Sequence, residues 1–121
     1  MDQIKTFYQL RVWQKSHELV LEVYKLTKSF PKYELFGIIP QLNRAASSVP
    51  ANIVEGFLRD TTKEFIKFLY NARGSAGETM YFLGLAKDLG YIDERKCSEM
   101  ARDYDELIRS LSALIKSLKI K

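Results

Sequence analysis

Apolar side chains recur along this chain at helical spacing, in four stretches separated by turn-forming residues. At about 100° per residue, each stretch places an apolar stripe along at least one face of a helix. No stretch shows the strict alternation of apolar and polar residues that is typical of a β-strand. The pattern predicts helices at about 10–29, 34–58, 62–89 and 94–118. Short connections favour an all-α, up-and-down four-helix bundle in a single domain, residues 1–121.

Local signals place the ends of these helices. Pro31 ends the first helix, because the residue before a proline is pushed away from the α region. The run 61–64, TTKE, fits a capping box, so we expect the third helix to begin there. Gly90 is suited to the left-handed conformation that closes a helix, and Asp93 is a typical N-cap for the fourth helix.

The second helix contains a proline at its centre, Pro50. Proline lacks the N–H that would donate to the carbonyl of Ala46, and its ring crowds that carbonyl. Either two helices meet at this point or one helix bends. Because the apolar stripe keeps its phase from Leu35 through Phe57, the sequence favours one helix kinked at Pro50.

The third helix is apolar on two sides. One side supplies the core, and the other carries a second set of apolar and small residues. Each glycine in a helix interior costs roughly 0.5–1 kcal/mol relative to alanine, which is tolerated where another backbone comes close. We therefore predict a homo-oligomer whose subunit interface comprises Ile66, Tyr70, Gly77, Met80, Tyr81 and Gly84. An aromatic-rich side that simply faces solvent is the alternative.

Composition disfavours an enzyme or a metal centre. The single cysteine, Cys97, and the single histidine, His17, cannot assemble a disulfide framework or a His/Cys cluster within one chain. No glycine-rich phosphate loop follows a strand. Glu55 and Glu78 could form a carboxylate pair across two helices, but paired with arginines they are expected to be structural. The sequence therefore predicts no catalytic residues, no metal and no cofactor.

Charge and hydropathy indicate where the protein works. The N-terminus carries charges and amides where a signal peptide would need an apolar core, and no apolar run approaches the roughly 20 residues that span a bilayer. We expect a cytoplasmic protein with no membrane partner. Nineteen basic residues against fifteen acidic ones give a net charge of +4, a surplus that favours acidic partners.

A row of polar side chains flanks the apolar stripe of the second helix. Spacing of three and four residues lets neighbouring members of the row bond to one another. If the row is exposed, it is an ordinary solvated face. If it is buried between helices, each member needs a partner, and the row becomes a network that faces an anion or sets the register of subunits. The members are Gln41, Arg44, Ser48, Asn52, Glu55 and Arg59, with Glu78 of the third helix as a further structural member.

The same region carries a recognisable sequence pattern. The segment 41–59, QLNRAASSVPANIVEGFLR, is preceded by VWQKS at 12–16 and followed by EFIKFLYNARGSAGE at 64–78 and LAKDLGYID at 85–93. The pattern resembles the 23S rRNA intervening sequence proteins, over residues 10–118. This resemblance implies a homopentameric barrel of four-helix bundles, encoded in some bacteria within an insertion in the large ribosomal RNA gene.

The resemblance extends to the accessory variability determinant of diversity-generating retroelements, a positively charged pentamer that binds nucleic acid and a reverse transcriptase. It therefore implies RNA or DNA, and a protein such as a reverse transcriptase, as partners. In a pentamer, every basic surface would be repeated around a ring.

Basic residues recur every seven positions on the fourth helix, on the side away from its core face. Because a straight helix drifts about 20° per heptad, they follow one slanting row that could track a phosphate backbone. Acidic residues interleave with the row, so a self-neutralised, solvated face is the alternative. With two arginines of the second helix, the candidates for phosphate contact are Arg44, Arg59, Arg95, Arg102, Arg109 and Lys116.

Two functions emerge from these patterns. The leading hypothesis is a non-enzymatic, ring-forming module that binds nucleic acid or serves as an accessory protein. The alternative is a scaffold that binds another protein and has no nucleic-acid role. The salt dependence of binding to RNA and DNA separates them, because phosphate contacts weaken steeply as salt rises.

Overall fold

The computed structural model describes residues 4–120, and this part of the chain is all-α, with four helices and no strand. A short 3₁₀ turn, Phe7–Gln9, precedes the first helix, and a second, Lys32–Glu34, lies between the first two helices. The prediction of an all-α chain with four helices is confirmed. The helices are α1, Arg11–Thr27; α2, Ile38–Phe57; α3, Thr62–Asp88; and α4, Glu94–Ile120.

Each helix packs against its neighbours in sequence, and α1 also touches α4, which is the arrangement of an up-and-down bundle. The contact of α2 with α3 is the most extensive, and the contact of α1 with α4 is the sparsest of these four. Every helix contributes side chains to one continuous core. Its largest fully buried side chains include Leu19, Leu42, Ile53, Leu69, Leu83, Met100, Tyr104, Leu107 and Leu111.

The second helix begins at Ile38, four residues later than the pattern predicts. Gly37 has a non-helical backbone, with φ −114° and ψ −113°. The later start places Pro40 in the first turn, where its missing N–H has no helical partner to lose. A helix from residue 34 would have carried Pro40 in its interior, which explains why the prediction was wrong at this end.

Pro50 lies inside α2, which continues on both sides of it. The residue is buried against the core. One helix, and not two, therefore occupies this segment, as the unbroken apolar stripe predicts. The kink at Pro50 stays a prediction.

Three other helix ends follow the sequence signals. The Thr61 hydroxyl accepts a hydrogen bond from the Glu64 backbone N–H at 3.2 Å and caps α3. An Asp93 carboxylate oxygen accepts from the Lys96 N–H at 2.7 Å and caps α4. Gly90 has a φ of 84°, the left-handed conformation that closes α3.

Close packing of α2 on α3 requires a glycine at position 56. A Cβ on Gly56 would lie 2.6 Å from the Cβ of Phe68 and 3.0 Å from Cδ1 of Phe65, both on α3. Real side chains do not approach this closely, so a glycine is needed where α2 crosses α3. The tight α2–α3 contact depends on it.

A carboxylate ties together the two turns at one end of the bundle. Glu34, in the turn before α2, accepts hydrogen bonds from the Ile38 N–H at 3.0 Å and from the Tyr91 hydroxyl at 2.6 Å. Tyr91 lies in the turn between α3 and α4, and its hydroxyl is also 3.3 Å from that of Tyr33. We call Tyr33, Glu34 and Tyr91 the Glu34 clamp.

The contacts within the clamp shift the pKa values of Glu34 and Tyr91. The hydrogen bond from Tyr91, followed by the one from the Ile38 N–H, lowers the pKa of Glu34 below its ordinary value. The same bond to Glu34 raises the pKa of the Tyr91 hydroxyl well above its usual range, with a smaller contribution from Tyr33. The clamp therefore favours an ionised carboxylate and a neutral phenol.

Candidate nucleic-acid interface

The polar row on α2 is largely solvated. Its expected Glu55–Arg59 ion pair is present, with 3.8 Å between the charged groups, while Asn52 donates instead to the Ser48 backbone carbonyl at 2.8 Å. The Arg59 guanidinium also lies 4.7 Å from the centre of the Phe68 ring. The exposed members are Gln41, Arg44, Glu55 and Arg59, and the half-buried ones are Ser48 and Asn52.

Glu78 is exposed on α3, and within residues 4–120 no hydrogen bond or ion pair joins it to this row. The row as a whole is a solvated helix face in the single chain. Arg44 forms no ion pair with a carboxylate of residues 4–120, so it stays a candidate for phosphate contact.

The basic row on α4 is fully exposed, as its position away from the core predicts. Two of its members are neutralised: Arg95 lies 3.5 Å from Glu99, and Arg109 lies 2.5 Å from Asp105. The other two members, Arg102 and Lys116, have no carboxylate of residues 4–120 within 4.0 Å. Half of the predicted row is therefore self-neutralised and half is not.

A second aromatic and basic cluster lies at the opposite end of the bundle from the Glu34 clamp, where α3 begins and α4 ends. The Lys119 ammonium donates to the Tyr70 hydroxyl at 2.5 Å. The Arg73 guanidinium lies 4.9 Å from the centre of the Tyr70 ring and donates to the Ser112 hydroxyl at 3.1 Å. We call Tyr70, Arg73, Ser112 and Lys119 the Tyr70 cluster.

This end of the molecule collects cations that lack acidic partners. We call it the basic end. No member has a carboxylate of residues 4–120 within 4.0 Å, and Glu64 contacts the Thr61 hydroxyl instead. Its members are Lys63, Lys67, Arg73, Lys116 and Lys119.

Sequence reasoning placed only Lys116 of this set among the phosphate contacts. The absence of acidic residues after Glu106 was a usable signal for Lys119. The others needed the pairing of α3 with α4, which brings the start of one helix beside the end of the other, as the Tyr70–Lys119 contact demonstrates.

The predicted interface face of α3 has two kinds of residue. Tyr70 and Tyr81 are 38% and 63% exposed, whereas Ile66 and Met80 pack partly against the protein's own core. A Cβ added at Gly77 or at Gly84 would meet nothing within 4 Å, and the same holds for Gly74. In the single chain these glycines have no close neighbour that requires them, unlike Gly56.

A further apolar surface lies in the turn before α2. Phe36 is 94% exposed, and its neighbours Tyr33 and Leu35 are 78% and 57% exposed. We call these three residues the turn patch. An almost fully exposed phenylalanine beside two other large side chains marks a surface suited to a protein partner.

A cleft of about 500 Å³ lies between α1 and α4, the pair of neighbouring helices with the sparsest contact. Its lining mixes cations with carboxylates, including Arg11, Lys15, Glu18, Glu106 and Arg109. This mixed charge gives the cleft no strong preference for an anion, in contrast to the basic end. Within residues 4–120, no three metal-binding side chains lie together and no helix is long and apolar enough to cross a membrane.

The fold and its surfaces define a class: a small, all-α protein of four consecutively packed helices, with a basic end whose cations pair with no carboxylate of residues 4–120. The chain belongs to the family of 23S rRNA-intervening sequence proteins, whose pattern it matches over residues 8–113. A solved structure from Bacteroides thetaiotaomicron, described as a protein of unknown function from the S23 ribosomal protein family, is similar, with a TM-score of 0.78 and 29% identity. The similarity covers 87% of this chain and 98% of that one. A search of the curated proteins found no match.

Proposed function

We propose that this protein is a non-enzymatic, cytoplasmic, homo-oligomeric module that binds nucleic acid through its phosphates. The observation that carries the proposal is the basic end, where five exposed or half-buried cations have no carboxylate of residues 4–120 in ion-pair contact. A cation that is not already neutralised releases condensed counterions when it meets a phosphate, and this release drives binding. The family's name, which refers to 23S rRNA, agrees with such a partner.

Assembly would strengthen this binding. A ring repeats the basic end once per subunit, so that several weak phosphate contacts act on one strand at high effective concentration. The exposed face of α3 supports the assembly, because Tyr81 and the unexplained Gly77 and Gly84 lie along it. We propose a pentamer that uses Ile66, Gly77, Met80, Tyr81 and Gly84 of the predicted set at its interface and leaves Tyr70, whose hydroxyl accepts from Lys119, accessible to a ligand.

Light scattering tests the assembly, since a pentamer has five times the 14.1 kDa mass of one chain. We expect Tyr81→Lys to release monomers, because it would place an unpaired charge in the interface while leaving the core of the single chain untouched. Tyr24→Lys is the control, because Tyr24 is an exposed tyrosine on α1. A wild-type protein that scatters as a monomer would overturn the ring.

Binding across a salt series tests the nucleic-acid role. We expect affinity for RNA and DNA to fall steeply with salt, and the slope to decrease by about 0.7 for each phosphate contact removed from a single strand. Lys116→Gln combined with Lys119→Gln should lower the slope, whereas Lys25→Gln combined with Lys28→Gln, an equal loss of two charges at the end of α1, should lower it far less. Undetectable binding at low salt would remove the proposal.

The turn patch favours a second candidate function, a scaffold that binds another protein. Phe36 is 94% exposed, and a reverse transcriptase is the kind of partner that the family resemblance implies. Replacing this side chain, as in Phe36→Asp, should abolish binding to such a partner without changing the fold. A protein that binds no nucleic acid at low salt but loses a protein partner through Phe36→Asp is a scaffold.

A further inference from the structure

We propose that Tyr70 is a stacking platform for an unpaired base, so that the basic end selects single-stranded nucleic acid. This inference rests on the proposed function and deepens it: the cations supply phosphate contacts, and the ring between them discriminates a single strand from a duplex. Base stacking on an aromatic side chain tolerates any sequence, because every base has a π-face.

Lys119 does not cover either face of the Tyr70 ring. Its Nζ lies 2.5 Å from the Tyr70 hydroxyl oxygen and 5.2 Å from the ring centre. The difference between these distances is close to the separation of the hydroxyl oxygen from the ring centre, so the three points are nearly in line. Lys119 therefore lies beyond the hydroxyl, near the plane of the ring, and covers neither face.

Arg73 lies against the ring and is positioned by a second contact. Its guanidinium is 4.9 Å from the ring centre, and the hydrogen bond to Ser112 on α4 fixes its direction. A planar guanidinium on one side of a tyrosine leaves the other side for a second planar group. Tyr70 is 38% exposed, so part of the side chain remains accessible to a ligand.

The Tyr70 ring and the lysines beside it together fit one nucleotide and its neighbouring phosphates. A base stacked on the side of Tyr70 away from Arg73 would place its backbone among the cations at the hydroxyl edge and on the adjacent turn of α4, Lys119 and Lys116. Both lysines lack a carboxylate partner within residues 4–120. In a duplex each base is already stacked and paired, so this ring could add nothing beyond phosphate contacts.

Burial of Tyr70 between subunits is the competing use of this ring. Such burial would also desolvate Arg73 and Lys119, which have no carboxylate partner within residues 4–120, and a buried cation without an anionic partner is strongly destabilising. Tyr81 lies on the same face of α3 without any cation–ring contact within residues 4–120. On this inference the Tyr81 region forms the subunit contact and the Tyr70 region meets the nucleic acid.

Fluorescence anisotropy with labelled oligo-dT, oligo-U and a duplex of the same length tests the assignment. Wild-type protein should bind both single strands more tightly than the duplex. Tyr70→Leu should weaken single-strand binding about tenfold, since one stacked base contributes about 1–3 kcal/mol, and should leave duplex binding unchanged. Tyr70→Phe should retain most of the single-strand affinity, because it keeps the ring and loses only the hydroxyl.

Tyr24→Leu is the matched control, because Tyr24 has a similar exposure on α1 and no cation–ring contact in the described part of the chain. Equal affinity for single strands and duplex, with Tyr70→Leu unaffected, would overturn the stacking site while leaving phosphate binding intact. No binding of any probe at low salt would instead overturn the proposed function. A change in scattering mass for Tyr70→Leu would place Tyr70 in the subunit interface and also overturn the inference.

Discussion

The two ends of the bundle each centre on a tyrosine hydroxyl, but its partner differs in charge. At one end the Tyr91 hydroxyl donates to the Glu34 carboxylate at 2.6 Å. At the other the Tyr70 hydroxyl accepts from the Lys119 ammonium at 2.5 Å. The Glu34 carboxylate has its hydrogen-bond partners within the chain, because it also accepts from the Ile38 N–H at the start of α2. The other end leaves a cation whose charge no carboxylate of residues 4–120 neutralises.

This difference suggests separate roles for the two ends: the Glu34 clamp stabilises the fold, and the basic end binds a ligand. The Glu34 clamp satisfies its own polar groups and links two turns, so it contributes to folding. The basic end gathers like charges that repel each other, so packing elsewhere must offset them. Proteins often place binding groups where local interactions are not fully satisfied, and here that place is the end formed by the start of α3 and the end of α4.

The largest expected loss of stability comes from a substitution that disrupts the packing of α2 on α3 beside the basic end. Gly56→Ala would bring a Cβ to 2.6 Å from Phe68, so it should destabilise the protein by roughly 1–3 kcal/mol, despite the higher helix propensity of alanine. Denaturant unfolding measures this loss. Gly74→Ala, which meets nothing within 4 Å, is the control and should stabilise by up to about 1 kcal/mol. Equal stability of wild type and Gly56→Ala would contradict the tight α2–α3 crossing.

A smaller loss of stability is expected from a substitution in the Glu34 clamp, at the opposite end. Glu34→Gln removes the charge from two hydrogen bonds and should destabilise the protein at neutral pH. The folded pKa of Glu34 lies below its ordinary value of 4.5, so its stabilisation is present above that value. It is lost as pH falls through the lowered folded pKa. Denaturation of both proteins from neutral to acid pH should show the difference in unfolding free energy between them closing as the pH falls below the ordinary value of 4.5. A difference that stays constant would contradict the clamp.

Between the two ends, the buried hydroxyl of Tyr104 has no hydrogen-bond partner within residues 4–120. Burial, with a smaller contribution from the charge of Glu22, raises the pKa of Tyr104. Thr79 opposes this in part, yet its own hydroxyl donates to the Ser75 carbonyl at 2.8 Å. Because an unsatisfied buried hydroxyl costs about 1–3 kcal/mol, Tyr104→Phe should stabilise the protein by about 1 kcal/mol. Unfolding that is easier in Tyr104→Phe would reveal a hydrogen bond to this hydroxyl.

The sequence specified the helices well because their signals are local. The caps at Thr61 and Asp93 and the closing glycine, Gly90, each act within one turn, and the structure has all three. The start of α2 was misplaced because the apolar stripe extends past the helix, while Pro40 and Gly37 set the boundary. Periodicity alone does not distinguish a helix from a tight turn that follows the same face.

The candidate site was harder to predict because it joins two helices. The heptad row on α4 is a property of one segment, and the structure neutralises half of it through Glu99 and Asp105. The contacts of Tyr70 with Arg73 and Lys119 depend on which turns of α3 and α4 lie side by side. The charge pattern along one helix therefore predicts a basic surface. It does not predict that the unpaired cations lie where the start of α3 meets the end of α4.

The smallest expected effect sharpens the contrast within α4 itself. Arg109 is paired with Asp105 and Lys116 has no carboxylate partner in the described chain, although both are exposed members of the same row. As surface changes, Arg109→Gln and Lys116→Gln should each alter stability by less than about 0.5 kcal/mol. Binding should separate them: Lys116→Gln lowers the salt slope for a single strand by about 0.7, and Arg109→Gln lowers it less, because Asp105 already neutralises that arginine. Equal slopes for the two variants would mean that ion pairing on the helix surface does not decide which cations meet phosphate, and the distinction between the basic end and the rest of α4 would fail.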